Sequence, residues 1–167
     1  MIILGIDPGL AIVGYGVIEY KSPQFKTLDH GAILTPAHTN VEDRLAHIYD
    51  SLDELIKMYK PDAVAVEELF FNTNQKTIIT VAEARGCILL CCKKNGVPLF
   101  EYTPLQVKQS VVGYGRAEKK QVIHMVKLLL KLEKAPKLDD TCDALAIAIC
   151  HANCSNSRIK NFFNART

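Results

Sequence analysis

Two short, wholly apolar segments, each followed by acidic residues, constrain this sequence more than any other feature. Residues 2–6 are followed directly by Asp7, and residues 63–66 by Glu67 and Glu68. A short run that is apolar on both faces is typical of a strand that helices cover on both sides. The sequence therefore predicts two central strands of one sheet, with carboxylates at their ends.

The rest of the chain alternates between strand and helix patterns. Further strands are predicted over residues 13–20, 25–34 and 97–102, and helices over residues 40–60, 74–94, 104–112, 117–131 and 139–154. Asn40 and the segment 72–74 are predicted as N-caps. The order is typical of a mixed-sheet α/β domain. We predict one domain over residues 1–154 and a polar C-terminal tail over residues 155–167.

Composition excludes several classes of protein. The chain has 167 residues, of which 49% are hydrophobic and 23% charged, so it is not intrinsically disordered. No window approaches twenty uninterrupted apolar residues, so no membrane association is expected. The first residues have no basic region, and we expect no secretory signal. The six cysteines are therefore predicted to be reduced thiols in a cytoplasmic protein.

Charge is distributed unevenly along the chain. Residues 1–104 carry a net charge of −4, whereas residues 105–137 carry +6. The basic residues of the second segment include Lys108, Arg116, Lys119 and Lys120. Such a segment favours a polyanion that contacts one face of the domain, although a solvated, lysine-rich helix face explains the charge equally well.

A third group of carboxylates opens the last predicted helix. Asp140 and Asp143 share one helix face, as do Asp139 and Asp143. If this helix packs over the ends of the two apolar strands, three or four carboxylates meet at one point. Such a cluster costs stability unless a cation neutralises it, and oxygen ligands of this kind suit Mg²⁺ or Mn²⁺. Two such ions about 4 Å apart would support phosphoryl transfer.

Less specific explanations exist for each of these residues. Asp7 could be a turn residue, Asp139 or Asp140 an N-cap, and Glu68 a solvated strand end. The pattern alone does not choose between Glu67 and Glu68, or between Asp139 and Asp140. A zinc site built from the cysteines and His151 is a weaker alternative, because no tight Cys-x-x-Cys motif is present. The glycines of the Gly-x-Gly at positions 14–16 indicate close packing or a bulge rather than a phosphate loop.

Several motifs together resemble the RuvC family of bacterial Holliday-junction resolvases. They are Ile-Leu-Gly-Ile-Asp-Pro-Gly at 3–9, Gly-Tyr-Gly-Val-Ile at 14–18, Val-Glu-Glu-Leu-Phe at 66–70, Glu-Ala-Arg-Gly at 83–86, Gln-Val-Lys-Gln-Ser-Val-Val-Gly at 106–113, Ala-Glu-Lys-Lys-Gln-Val at 117–122 and Asp-Thr-Cys-Asp-Ala-Leu-Ala-Ile-Ala at 140–148. The resemblance covers nearly the whole chain except the tail, and the motifs occur in the family's order.

The resemblance implies a ribonuclease-H-like fold, in which a three-strand antiparallel meander and two parallel strands form a five-stranded mixed sheet flanked by helices. It implies a homodimer that resolves four-way DNA junctions by paired nicks, in recombination and repair, alongside the branch-migration proteins RuvA and RuvB. It also implies two Mg²⁺ ions per site, with Mn²⁺ able to substitute. The residues implied as catalytic and metal-binding are Asp7, Glu67, Asp140 and Asp143. Those implied or expected to contact DNA are Phe70, Lys108, Arg116, Lys119 and Lys120.

Three other classes share part of this pattern. A ribonuclease H or transposase-type nuclease would share the acids but not the motifs at 106–122. An actin-like or sugar-kinase fold also begins with a strand ending in Gly-Ile-Asp, but it requires two such domains and more than twice this length. A junction-binding module without catalysis would gain nothing from acids that face phosphate.

Overall fold

The computed structural model of this chain describes residues 1–68 and 75–156. Its elements, in chain order, are β1 (Ile2–Asp7), β2 (Ile12–Lys21), β3 (Gln24–Leu34), α1 (Val41–Tyr59), β4 (Ala63–Glu67), α2 (Gln75–Lys94), β5 (Leu99–Tyr102), α3 (Pro104–Val112), α4 (Lys119–Leu129) and α5 (Asp139–Asn156). Within the described residues, none of these helices has the length and apolar character needed to cross a membrane.

The five strands form one sheet in the order β3-β2-β1-β4-β5. The first three strands pair antiparallel, as hairpin connections allow, whereas β4 pairs with both β1 and β5 in parallel. The two apolar strands β1 and β4 are therefore central neighbours, and helices cover both of their faces. The predicted five-stranded mixed sheet of the ribonuclease-H-like fold is confirmed.

Two hydrophobic layers lie on opposite faces of the sheet. One contains Leu4, Ile6, Val64 and Val66 and packs under α1 and α2. The other packs under α3, α4 and α5, and α5 is itself buried along most of its length. Helix α5 crosses β1 and β2 directly, so its N-terminus lies at the same edge as the end of β1.

Glycines in β1 and β2 allow α5 to approach the sheet backbone. A Cβ atom on Gly5 would clash with the carbonyl oxygen of Ala144, and one on Gly14 would clash with that of Asp140. Gly14 lies opposite Asp7 in the β1–β2 pairing. The close packing predicted for the Gly-x-Gly at positions 14–16 is confirmed, and it brings the start of α5 to Asp7.

Some predicted element ends are shifted in the structure. The strand predicted from residue 97 begins at Leu99, because the Val97 N–H donates to the Cys92 carbonyl at the end of α2 and Pro98 has no N–H. Helix α4 begins at Lys119 rather than at residue 117, since Glu118 and Gln121 form a capping box. Asn40 is the N-cap of α1, but its side chain makes no capping hydrogen bond.

The predicted boundary at residue 154 falls within α5. The helix continues to Asn156, two residues into the segment predicted as a polar tail. The predicted caps at 72–74 and the tail from residue 157 onward lie outside the described residues. That residues 1–154 form a single domain remains a prediction.

Candidate active site

The register of the two central strands places Asp7 beside Glu67. Ile6 pairs with Val66, and both side chains belong to the layer under α1 and α2. Because side chains alternate along a strand, Asp7 and Glu67 lie on the opposite face, which α5 covers. Glu68 follows at the next position, where its N–H donates to the Tyr102 carbonyl at 2.9 Å. The alternation of side chains along β4 thus places Glu67, rather than Glu68, on the face that α5 covers. The sequence pattern alone does not make this distinction.

The first turns of α5 bring two more carboxylates to this edge. Asp140 lies over Gly14, the partner of Asp7 in the sheet, and is half-buried. Asp143, one turn further along, is also half-buried. Asp139 lies on the outside of the helix, with 66% of its side chain exposed. The structure therefore brings Asp7, Glu67, Asp140 and Asp143 to one edge.

Burial and mutual repulsion both act on the charges of these carboxylates. Burial, reinforced by the charges of Glu67, Asp143 and Asp140, raises the pKa of Asp7 to about 8. Burial and the Asp143 charge also raise the pKa of Glu67. Burial raises the pKa of Asp143, against an opposing hydrogen bond from Lys119. Repulsion of this kind is relieved when cations bind between the carboxylates.

Two lysines supply positive charge at the same edge. Lys119 Nζ lies 3.1 Å from a carboxylate oxygen of Asp143 and 3.1 Å from one of Asp139. Lys108 lines a cleft with Lys119 and Glu67, and its positive charge opposes the rise in the pKa of Glu67 without cancelling it. The lysines of the basic segment therefore reach the acids from α3 and α4.

The donor set fits a hard divalent cation. All four donors are carboxylates, which suit Mg²⁺ or Mn²⁺, and burial disfavours the charged forms of Asp7, Glu67 and Asp143. Among residues 1–68 and 75–156, no three His, Cys, Asp or Glu side chains lie close enough together to hold one ion as they stand. Joint coordination therefore requires rotations about the side-chain torsions.

Two clefts flank the carboxylates. The first, of about 190 Å³, has a polar rim of Glu67, Lys108, Lys119 and Asp143 over an apolar floor. The second, of about 410 Å³, lies on the other side. It is lined by Gly9, Leu10, Ala11, Ile12, Arg44, Thr80, Val81 and Asp140. Three of the acids thus line the clefts, Glu67 and Asp143 the first and Asp140 the second, and Arg44 is a lining residue that no sequence motif indicated.

The remaining predicted DNA-contacting residues are placed differently. Arg116 and Lys120 are exposed near the start of α4, but in the described part of the chain they line neither cleft and pair with none of the acids. Phe70 lies outside the described residues. The roles of these three residues remain predictions.

The cysteines and His151 do not form the alternative metal site. The six cysteines all lie in the described residues and none is bonded in a disulfide; Cys91, Cys92, Cys142 and Cys150 are buried. The His151 ring shares a 2.8 Å hydrogen bond with the Tyr102 hydroxyl group. Cys142 and Cys150 belong to the hydrophobic layer under α3, α4 and α5, whereas Cys91 and Cys92 belong to the layer under α1 and α2.

A mixed five-stranded sheet with acids at the ends of two central strands and at the start of a crossing helix defines the metal-dependent nucleases of the ribonuclease-H-like fold. Within that class, the model of the family "Crossover junction endodeoxyribonuclease RuvC" matches residues 3–151. This chain belongs to the RuvC family, whose members are metal-dependent endonucleases that hydrolyse phosphodiester bonds.

Individual relatives agree with this assignment. The chain is 60% identical to the crossover junction endodeoxyribonuclease RuvC of Clostridioides difficile over 164 residues, which cover 98% of this chain and 96% of the relative. It is similar to the structure of Thermus thermophilus RuvC, with a TM-score of 0.86, 36% identity and coverage of 93% and 95% of the two chains. The T. thermophilus protein in complex with a Holliday junction substrate gives a TM-score of 0.89 at 36% identity, covering 93% and 94%.

The predicted family, fold and Holliday-junction resolvase activity are confirmed at the level of the family. The ribonuclease H and sugar-kinase alternatives are not supported, because the family model extends through residues 106–122 and nearly the whole chain.

Proposed function

We propose that this protein resolves four-way DNA junctions by paired symmetric nicks, with Asp7, Glu67, Asp140 and Asp143 as the ligands of two Mg²⁺ ions, for which Mn²⁺ can substitute. The observation that carries this proposal is the strand register. It sets Asp7 beside Glu67 on the face where α5 delivers Asp140 and Asp143. The complex of T. thermophilus RuvC with a Holliday junction supports the choice of substrate.

Each group of residues has a separate task. The bound ions would activate a water molecule and stabilise the leaving oxygen. The four carboxylates hold these ions in a fixed position relative to the sheet. Lys108 and Lys119, which line the first cleft, bind phosphate oxygens beside the scissile bond. Arg116 and Lys120 extend the positive surface away from the site.

The proposal is tested by incubating the protein with a synthetic four-way junction and, separately, with linear duplex DNA of the same sequence. We expect two symmetric nicks in the junction with Mg²⁺, none with EDTA, and no comparable cleavage of the duplex. Equal cleavage of the duplex would contradict a junction-selective nuclease.

The outer face of α2 supports a homodimer. Ile79 and Leu90 are 67% and 53% exposed, and Gly86, which lies on the same helical stripe, has open space beside it. By contrast, Ile88 of the same helix is fully buried in the core. Two active sites related by a two-fold axis would match the symmetry of a junction cut on two strands.

We therefore expect a mass of twice 18.6 kDa by light scattering at micromolar concentration. The Leu90→Glu variant should shift toward the monomer, because a charge on this face cannot be buried without a partner. Leu128→Glu is the matched control, since Leu128 is 56% exposed on α4, and it should remain dimeric. A monomeric wild-type protein, or equal effects of both substitutions, would refute this interface.

Phe70 is proposed as the aromatic residue that stacks on a base at the crossover. It follows Glu67 by three residues and is adjacent to Phe71. If this segment were extended, the two adjacent rings would point to opposite sides, and one of them would be available to DNA. Stacking on a base is worth about 1–3 kcal/mol.

We expect Phe70→Ala to keep its melting temperature and most of its junction affinity, while cleavage falls roughly 10-fold or more because the crossover is no longer held open. A junction with unpaired bases at the crossover should restore its cleavage. If both substrates lose cleavage equally and the melting temperature falls, Phe70 is a core residue instead.

The cellular setting follows from the family resemblance. We propose that the protein acts in the cytoplasm on junctions handled by the branch-migration proteins RuvA and RuvB. Co-sedimentation with junction-bound RuvA and RuvB would test this association.

A further inference from the structure

The second cleft is lined by a positively charged side chain, Arg44, that lies outside the basic segment of residues 105–137. Arg44 lies in the first turn of α1 and shares this cleft with Asp140 and the loop that follows β1. It is half-buried, and among the described residues no carboxylate forms an ion pair with it. An arginine that is held in place without a counter-charge is suited to bind an external anion.

A buried threonine fixes the position of this guanidinium group. Arg44 Nε donates to Thr35 Oγ1 at 2.8 Å. The same Thr35 hydroxyl donates to the Leu10 carbonyl at 2.6 Å, and the Thr35 N–H donates to the Ala11 carbonyl at 3.1 Å. Arg44 is therefore tied to the loop that begins directly after Asp7.

The hydrogen bond to Thr35 uses only Nε, the inner nitrogen of the Arg44 guanidinium group. In the described part of the chain, the terminal nitrogens donate no hydrogen bond, and Arg44 lines an open cleft of about 410 Å³. Two terminal nitrogens in one plane match two oxygens of a phosphate, and such bidentate pairs are stronger and more directional than a lysine contact.

The arrangement of the two clefts indicates which phosphate is bound. Lys108 and Lys119 line the cleft on the Glu67 and Asp143 side, and Arg44 lines the cleft on the Asp140 side. Because acids line both clefts, a strand whose scissile phosphate lay over the acids would extend toward both of them. Resting on the proposed junction cleavage, we infer that Arg44 binds a backbone phosphate of the cleaved strand, next to the scissile phosphate and on the side opposite the two lysines.

This role makes Arg44 a positioning residue. It would hold the strand from the second side, so that the scissile phosphate cannot shift along the groove between the clefts. Its loss should reduce the cleavage rate at saturating junction as well as junction affinity, whereas metal binding should be unaffected.

The most direct variant is Arg44→Gln. A glutamine side chain places its amide nitrogen where Nε stands, so it can keep the hydrogen bond to Thr35 while the terminal nitrogens and the charge are removed. Lys57→Gln is the matched control, because it removes one positive charge from the other end of the same helix. Arg44→Lys is a second variant, which keeps the positive charge but lacks the two coplanar terminal nitrogens. It tests the inference even if Arg44→Gln fails to fold.

We expect Arg44→Gln to melt like the wild type, to bind Mn²⁺ equally well and to cut roughly 10- to 100-fold more slowly at saturating junction. The slope of log affinity against log salt should decrease by about 0.9. Arg44→Lys should keep the salt slope but cut more slowly, and Lys57→Gln should behave as the wild type.

Junctions with a single neutral methylphosphonate near the cleavage point locate the phosphate. At one position of the cleaved strand, this substitution should slow the wild type and have no further effect on Arg44→Gln. Normal cleavage by Arg44→Gln, or additive losses at every position within three nucleotides of the nick, would overturn the inference. If instead the wild type did not cut the junction, the proposed function itself would fail, and the two failures are therefore distinguishable.

Discussion

We expect Asp7→Asn to abolish junction cleavage while junction binding survives. The substitution removes one proposed anionic ligand from the carboxylate cluster, whereas the phosphate contacts proposed for Lys108 and Lys119 do not involve Asp7. Cleavage in Mg²⁺ should fall by at least roughly 100- to 1,000-fold. Single-turnover cleavage and a binding assay in EDTA measure the two effects separately. Near-normal cleavage by this variant would show that the ions are held elsewhere.

The same substitution should stabilise the metal-free protein. The pKa of Asp7 rises from 3.8 to about 8 on folding, mainly through burial and then through its acidic neighbours. The native state therefore retains a proton that the unfolded state loses, so stability decreases as pH rises through this interval. Asparagine carries no such penalty. The melting temperature of Asp7→Asn in EDTA should exceed that of the wild type by roughly 2–8 °C at pH 8, and the difference should vanish below about pH 4.

A second large effect should distinguish the paired glutamates. Glu67→Gln should lose cleavage as completely as Asp7→Asn, because its side chain lies on the α5 face beside Asp7. Glu68→Gln is the matched control, with the same chemistry one position along and on the opposite face. It should retain cleavage within a few-fold of the wild type. The reverse result would mean that the register of β4 is shifted by one residue in the active protein.

Much of this site could be predicted from local sequence. Asp7 ends an apolar run, and a parallel partner strand with the same character places a second acid beside it, as the structure shows for Glu67. The choice between Glu67 and Glu68 depends on which face α5 covers. That face is determined by tertiary packing, here the close approach of α5 to Gly5 and Gly14. The family resemblance likewise implies Glu67 rather than Glu68.

Other features depend on contacts between distant residues. The ion pairs of Lys119 with Asp139 and Asp143 join α4 to α5. Because the partners lie on different helices, the spacing of residues within one helix does not predict these pairs. Arg44 is one of nine Lys and Arg residues in a segment, residues 1–104, whose net charge is −4. Its significance depends on Thr35, nine residues away, and on the loop after β1. The net charge of a long segment therefore does not indicate the position of such a residue.

The central claim is that Asp7, Glu67, Asp140 and Asp143 together hold the divalent ions. Anomalous scattering from crystals of the protein with junction DNA and Mn²⁺ tests it most directly. We expect two Mn²⁺ peaks about 4 Å apart, bounded by carboxylate oxygens of these four residues. Peaks coordinated by Glu68 or Asp139 in place of Glu67 or Asp140, or no peak at this edge of the sheet, would contradict it.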